Sequence, residues 1–333
     1  MVQRIGSGDM ALTALLSRQS GALRAELNAR MAEISTGKHT DMGAAVSGDF
    51  SALAALNQSL ARLQGYAANT KEAALFTDAV QSALEVVSTS ATDLATNALR
   101  SVGLENQINL SVVTQQAERA FASSVAALNT RFSERALFSG VNANVEPLPD
   151  AETILGALEA VTATAPTATD ALAAIDDWFM GAAGYESVYA GGVARADVPV
   201  APGEMASLDV TALDPAVRAT LRDMAGLALL GRGLFQGQPA VRAQIAQQSA
   251  EGLLGGGEAR AQLAARIGVT QEQISAATTR NGAEQSALEI ARAGIVSADP
   301  YDAAARLEDL QTQIEALYLM TARLSRLSLA DYI

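Results

Sequence analysis

The chain has no cysteine, one histidine and one tryptophan, and aromatic residues make up only 4% of its 333 positions. The first absence excludes disulfides and thiolate metal sites, and a lone imidazole leaves no set of histidine ligands. So few rings against 49% hydrophobic residues require a core of Ala, Leu, Val and Ile, which suits long, closely packed helices. Proline is missing before Pro147; seven of the eight prolines lie between Pro147 and Pro239, and the last is Pro300. An interior proline costs a helix about 3 kcal/mol, so the proline-free run has room for long uninterrupted helices. The proline-bearing middle must hold turns, shorter elements and any strands. No window approaches about eighteen unbroken apolar residues, so no membrane insertion is expected. The opening MVQRIGSGDMALTALLSRQSG also lacks the continuous apolar segment and small-residue cleavage site of a signal peptide.

The net charge is −13, with 23 basic and 36 acidic residues. It is uneven: residues 141–230 hold three basic and thirteen acidic side chains, residues 1–40 five and three, and residues 301–333 three and five. The weak opposition between the two ends favours their pairing. The acidic middle fits a solvated outer surface and argues against nucleic acid.

Read in order, residues 9–35 form a first helix with Leu12, Leu16, Leu23, Leu27 and Ile34 near one face, ended by Gly37 at the C′ position within STGKHTD. A second helical run spans about 50–100, and a third about 105–138, with Phe121, Val125, Leu128 and Phe132 in register. Residues 150–180 supply one or two short helices ending near Trp178. The stretch YESVYAGGVARADVPVAPGEMASLDV reads as short strands around Gly191-Gly192 and Pro202-Gly203 turns. Asp214-Pro215 caps a helix running to about Leu230. Beyond Pro239 the chain returns to helix, where Ile267, Ile274, Asn281, Leu288 and Ile295 recur every seventh position. A polar residue in such a column fixes register at some cost in stability.

The last helix follows Pro300. Leu307, Leu310, Ile314, Leu317, Leu324 and Leu327 recur at three- and four-residue steps, with Thr321 in one seam position. This is the narrow apolar seam of a coiled-coil strand, which needs a partner. It is read as an assembly helix, with Leu317 hardly buried in a free monomer and both chain ends mobile there. An ordinary helix docked on its own domain is the alternative.

The run LEDLQTQIEALYLMTARLSRLSLADYI, with its Leu327-Ser328-Leu329 tail, resembles the C-terminal helix of the bacterial flagellin family. STGKHTD resembles that family's N-terminal turn, and LNTRFSERALFSGVNAN its exit into the exposed domain. The chain departs from the family at DMGAAVSGDF, where a paired-acid segment with Pro-Ala is usual. The resemblance implies a mainly α fold: a long helical bundle built from both chain ends, with a smaller mixed α/β insert. The expected division is a terminal coiled-coil domain (1–45 and 296–333), a helical rod (46–140 and 232–295) and an acidic exposed insert (141–231). The implied function is a structural flagellar subunit exported through the flagellum without a cleaved signal. Self-assembly would run through Leu12, Leu16, Leu23, Leu27, Ile34, Leu307, Leu310, Ile314, Leu317, Leu324 and Leu327. The implied partners are copies of the chain itself, a hook-side junction protein and flagellin, with room for an export chaperone. The mixed middle looks more like the hook–filament junction members than a short filament flagellin, and both readings stay open.

Enzymatic alternatives are thin. His39 lies in a turn and reads as a solvated residue. Ser35 and Lys38 have serine-acylase spacing without its companion motifs. Gly255-Gly256-Gly257 is not followed by Gly-Lys-Ser/Thr. Asp176 and Asp177 are helix neighbours that point apart. Trp178 and Phe179 read as core of the middle segment. An oligomeric enzyme with a site in the middle domain is therefore the minor reading, and no cofactor is expected.

Overall fold

The computed structural model describes the backbone of residues 7–103 and 107–330, and the side chains of 11, 14–101 and 110–323. In chain order come α1 (Ser7–Thr36), α2 (Met42–Ala45), α3 (Ser51–Gly103), α4 (Gln107–Leu128), β1 (Arg131–Phe132), β2 (Arg135–Ala136), α5 (Ala151–Thr162), α6 (Ala168–Met180) and α7 (Tyr185–Val188). Then follow β3 (Val198–Ala201), β4 (Glu204–Ala206), α8 (Pro215–Gly231), α9 (Pro239–Gly255), α10 (Gly257–Val296) and α11 (Pro300–Ala330). The fold is mainly α, with long helices and two small antiparallel strand pairs. The proline-free first part indeed forms the 53-residue α3.

The chain divides into two compact units: Met1–Arg62 with Ala283–Ile333, and Leu63–Gly282. The second contains the continuous apolar core, in which Phe121, Phe138, Phe179 and Tyr185 are fully buried. At its centre lies α8. Asp214 caps it by accepting from the Ala216 N–H at 3.0 Å, Pro215 opens its first turn, and the following LRDMAGLALL is buried almost all round. A helix buried on nearly every side must be enclosed by others, and α4, α9, α6 and α5 enclose this one. The residues expected as a separate insert therefore share one core with α4 and α9.

Two expectations at the edges of elements are corrected. The third helical run stops at Leu128 rather than near Phe138. There the Asn129 amide exchanges two hydrogen bonds with the Leu148 backbone, at 2.9 and 3.1 Å. The chain then turns through Ser133 and Glu134, both at positive φ, into the β1–β2 pair. A short polar side chain that bonds backbone elsewhere competes with helix continuation. Gly191-Gly192 does not join two strands; Tyr185–Val188 is a helical turn, and of the two expected turns Pro202-Gly203 is the one that links a hairpin, β3 with β4.

Asn281 also behaves differently from a coiled-coil register residue. It is buried, and its side-chain amide donates to the Val200 carbonyl at 2.7 Å. Asn69 of α3 donates to the Pro199 carbonyl at 2.9 Å, and Gln273 of α10 to the Met205 carbonyl at 3.0 Å. The hairpin is thus held by side-chain amides from two helices.

Candidate assembly interface

In the first unit the two terminal helices pack on each other. Gly37 stands at φ +68° just beyond α1, and its N–H closes the helix on the Glu33 carbonyl at 2.8 Å. A residue without Cβ takes this left-handed conformation at no steric cost. The chain then pairs with the segment leading into α11. Lys38 and Ser297 form an antiparallel bridge, the Ala298 N–H donates to the Gly37 carbonyl at 3.0 Å, and the His39 N–H to the Val296 carbonyl at 2.9 Å. Further along, Arg24 donates to the Tyr318 hydroxyl and its guanidinium lies 5.7 Å from the ring centroid. The two helices are therefore antiparallel.

Glu33 sits at the centre of this turn. It is the one buried residue of α1 among the described side chains. Its carboxylate accepts from Arg30 Nη1 at 2.6 Å and from the Thr40 N–H at 3.0 Å, with His39 Nδ1 at 3.8 Å. Burial pushes its pKa up, but the Thr40 N–H and the Arg30 guanidinium outweigh that and hold it below the ordinary glutamate range.

On α11, Ala303, Leu310 and Leu317 form the buried column, seven residues apart, with Leu307 and Ile314 half-buried beside it. Leu317 is only 7% exposed. This corrects the expectation that a free monomer hardly buries it: α1 of the same chain supplies the cover. Leu16, Leu23 and Leu27 are half-buried, whereas Ile34 is 40% exposed. The side chains of Leu12, Leu324 and Leu327 lie outside the described residues.

The pair leaves apolar side chains uncovered: Leu15 and Met31 on α1, Leu319 and Met320 on α11. None of these four was picked out by seam periodicity, because they fall off the seam. Their signal is that they are large apolar residues outside the seam: Leu319 lies opposite it, and Leu15, Met31 and Met320 flank it on helices turning about 100° per residue. Glu33 was missed as well; an acidic residue three positions after Arg30 and just before the Gly37 stop was its available mark. Ser35, Lys38 and His39 converge on no catalytic geometry, since their neighbourhood is the backbone bridge just described. Among the described residues no three His, Cys, Asp or Glu side chains are grouped to hold a metal ion, and no helix is long and apolar enough to cross a membrane.

Residues 258–333 match the bacterial flagellin C-terminal helical region. The match takes in nearly all of α10 and the whole of α11, so the C-terminal part of the chain is flagellin-like in sequence. Similar solved structures include a Vibrio parahaemolyticus protein described as a flagellar hook-associated protein, 14% identical over 72% of this chain and 94% of that one, with a TM-score of 0.46. FlgL from Bacillus cereus is likewise 14% identical, over 70% and 96% of the two chains, with a TM-score of 0.47. At that level neither likeness carries a functional argument. No curated protein matches the chain.

Proposed function

We propose that the chain is a structural subunit of the bacterial flagellum, located outside the cell at the joint between hook and filament, and assembling with its own copies through the helices at both chain ends. The observation that carries the reading is the α1–α11 pair. It buries one apolar column within the chain and leaves a second set, Leu15, Met31, Leu319 and Met320, facing out. Apolar side chains left uncovered on both helices of a pair favour further association, and α11 lies wholly within the flagellin-like segment. On this reading Leu16, Leu23, Leu27, Leu310, Ile314 and Leu317 preform the unit, and the outward residues with Ile34 meet the neighbour. The chain then acts by association and catalyses nothing. Its neighbours are a hook-side junction protein and flagellin, and it leaves the cell through the flagellar export channel.

The joint is preferred over the filament because of the mixed segment between α4 and α8, which a short filament subunit does not need. Immunogold labelling of isolated flagella with an antibody to this chain tests both points. A single band at the hook end is expected. Label along the filament would make it a filament subunit, and absence of label from intact flagella would remove the flagellar reading.

A further inference from the structure

Within the first unit a groove of about 380 Å³ opens between the turn after α1, the first turns of α3 and the last turns of α10. Met42, Leu53 and Val296 supply apolar walls, and Lys38 and Arg292 supply two cations at its rim. Neither cation is engaged in an ion pair among the described residues, and the one carboxylate there, Glu289, accepts a hydrogen bond from Gln285 at 2.9 Å. The groove thus carries two cations against one carboxylate, a positive balance in a chain whose net charge is −13.

A matching surface exists on α11. Glu308, Thr312, Glu315 and Leu319 fall within about 60° of one another on a helix turning about 100° per residue. That stripe lies roughly 160° from the buried column of Leu310 and Leu317. Glu308 and Glu315 are exposed and have no ion-pair partner among the described residues. The stripe ends in Leu319, which is 64% exposed. It therefore offers two carboxylates followed by an apolar side chain, and the groove offers two cations beside apolar walls.

We infer that the groove receives the outer stripe of α11 from a second copy of the chain, with Glu308 and Glu315 against Lys38 and Arg292 and Leu319 against the apolar walls. The inference rests on the self-assembly reading and names its contact. Charge complementarity gives register and rejects wrong partners. A groove and a stripe at different places on one subunit make a head-to-tail contact, which generates a ring or an open helix instead of stopping at a dimer.

The test is a two-way charge swap on the full chain: K38E/R292E and E308K/E315K, both checked for wild-type melting, with assembly followed by light scattering and sedimentation on isolated hook–filament seeds. Each variant alone sets like charges against each other and is expected to need about tenfold or more higher concentration to assemble. Mixed one to one, each variant's groove meets the opposite charge on the other's stripe, and assembly is expected to return towards the wild-type concentration. If the wild type assembles and the mixture is no better than its components, or if both single variants assemble normally, the groove contact is refuted and the assembly reading stands. If the wild type itself stays monomeric on the seeds, both fall.

Discussion

The backbone N–H of Thr40 donates to the Glu33 carboxylate at 3.0 Å, folding the chain after α1 back over that helix's last turn. Thr40 Oγ1 adds a hydrogen bond to the Ala29 carbonyl at 3.1 Å. The strand-like pairing of residues 37–39 with 296–298 follows directly from this fold-back, so a single carboxylate organises the junction between the first and last helices.

Because its pKa is held below the ordinary range, Glu33 contributes stability that is complete above the unfolded-state value of about 4.3 and is lost as pH falls through the lower folded value. Glu33→Gln keeps an acceptor for Thr40 but loses the charge facing Arg30. It should cost about 1 kcal/mol at neutral pH. The difference between wild type and variant, from urea unfolding at successive pH values, should shrink in acid. A difference constant down to about pH 3 would show that the carboxylate is not held in its charged form.

Gly140 and Gly203 both adopt positive φ, at +61° and +75°, yet they should respond differently to alanine. A Cβ at 140 would lie 2.1 Å from the Val193 carbonyl oxygen and 2.7 Å from that of Gly192, whereas the space around 203 is open. Gly203→Ala should cost about 1 kcal/mol, the strain of a left-handed residue. Gly140→Ala adds a backbone collision and should cost upwards of about 3 kcal/mol. Equal losses in a denaturant titration would mean that the 192–193 loop gives way freely.

What was legible in the sequence were the features set by neighbouring residues. The proline-free run gave long helices, Asp214-Pro215 started α8, Gly37 ended α1, and Pro202-Gly203 turned a hairpin. What was not legible depended on residues far apart in the chain. The helix stop at Leu128 rests on Asn129 meeting Leu148, and no glycine or proline announces it. The cover over Leu317 comes from α1, nearly the whole chain away. Seam periodicity located the buried column of α11 correctly. It could not say whether this chain or a neighbour fills that column, since the apolar pattern is the same in both cases.

Asn281 separates the two readings of its column. A register-setting asparagine in a coiled coil costs stability, so leucine in its place would stabilise. Here its amide satisfies the carbonyl of Val200, itself fully buried. Asn281→Leu should therefore strand that acceptor and destabilise the chain by about 1–3 kcal/mol. A rise in melting temperature on this substitution would show that the hairpin does not depend on the bond.

Leu317 and Leu319 lie two residues apart on opposite faces of α11, 7% and 64% exposed. Aspartate at either position puts the same charge on the same helix, so the pair isolates which face does what. At 317 the side chain is packed beneath α1, and the substitution removes a buried leucine and strands a carboxylate. A loss of about 3 kcal/mol or more is expected, read as faster hydrogen exchange along α1 and α11 in the monomer. At 319 the charge enters water, and the monomer should stay within about 0.5 kcal/mol of wild type. If α11 meets a neighbour through its outer face, Leu319→Asp should nonetheless block assembly. Cells would then keep their hooks, lack filaments and release flagellin to the medium. A Leu319→Asp subunit that supports normal swimming would remove the outer face from the assembly. A Leu317→Asp monomer with unchanged exchange would mean that the α1–α11 pair does not persist in solution.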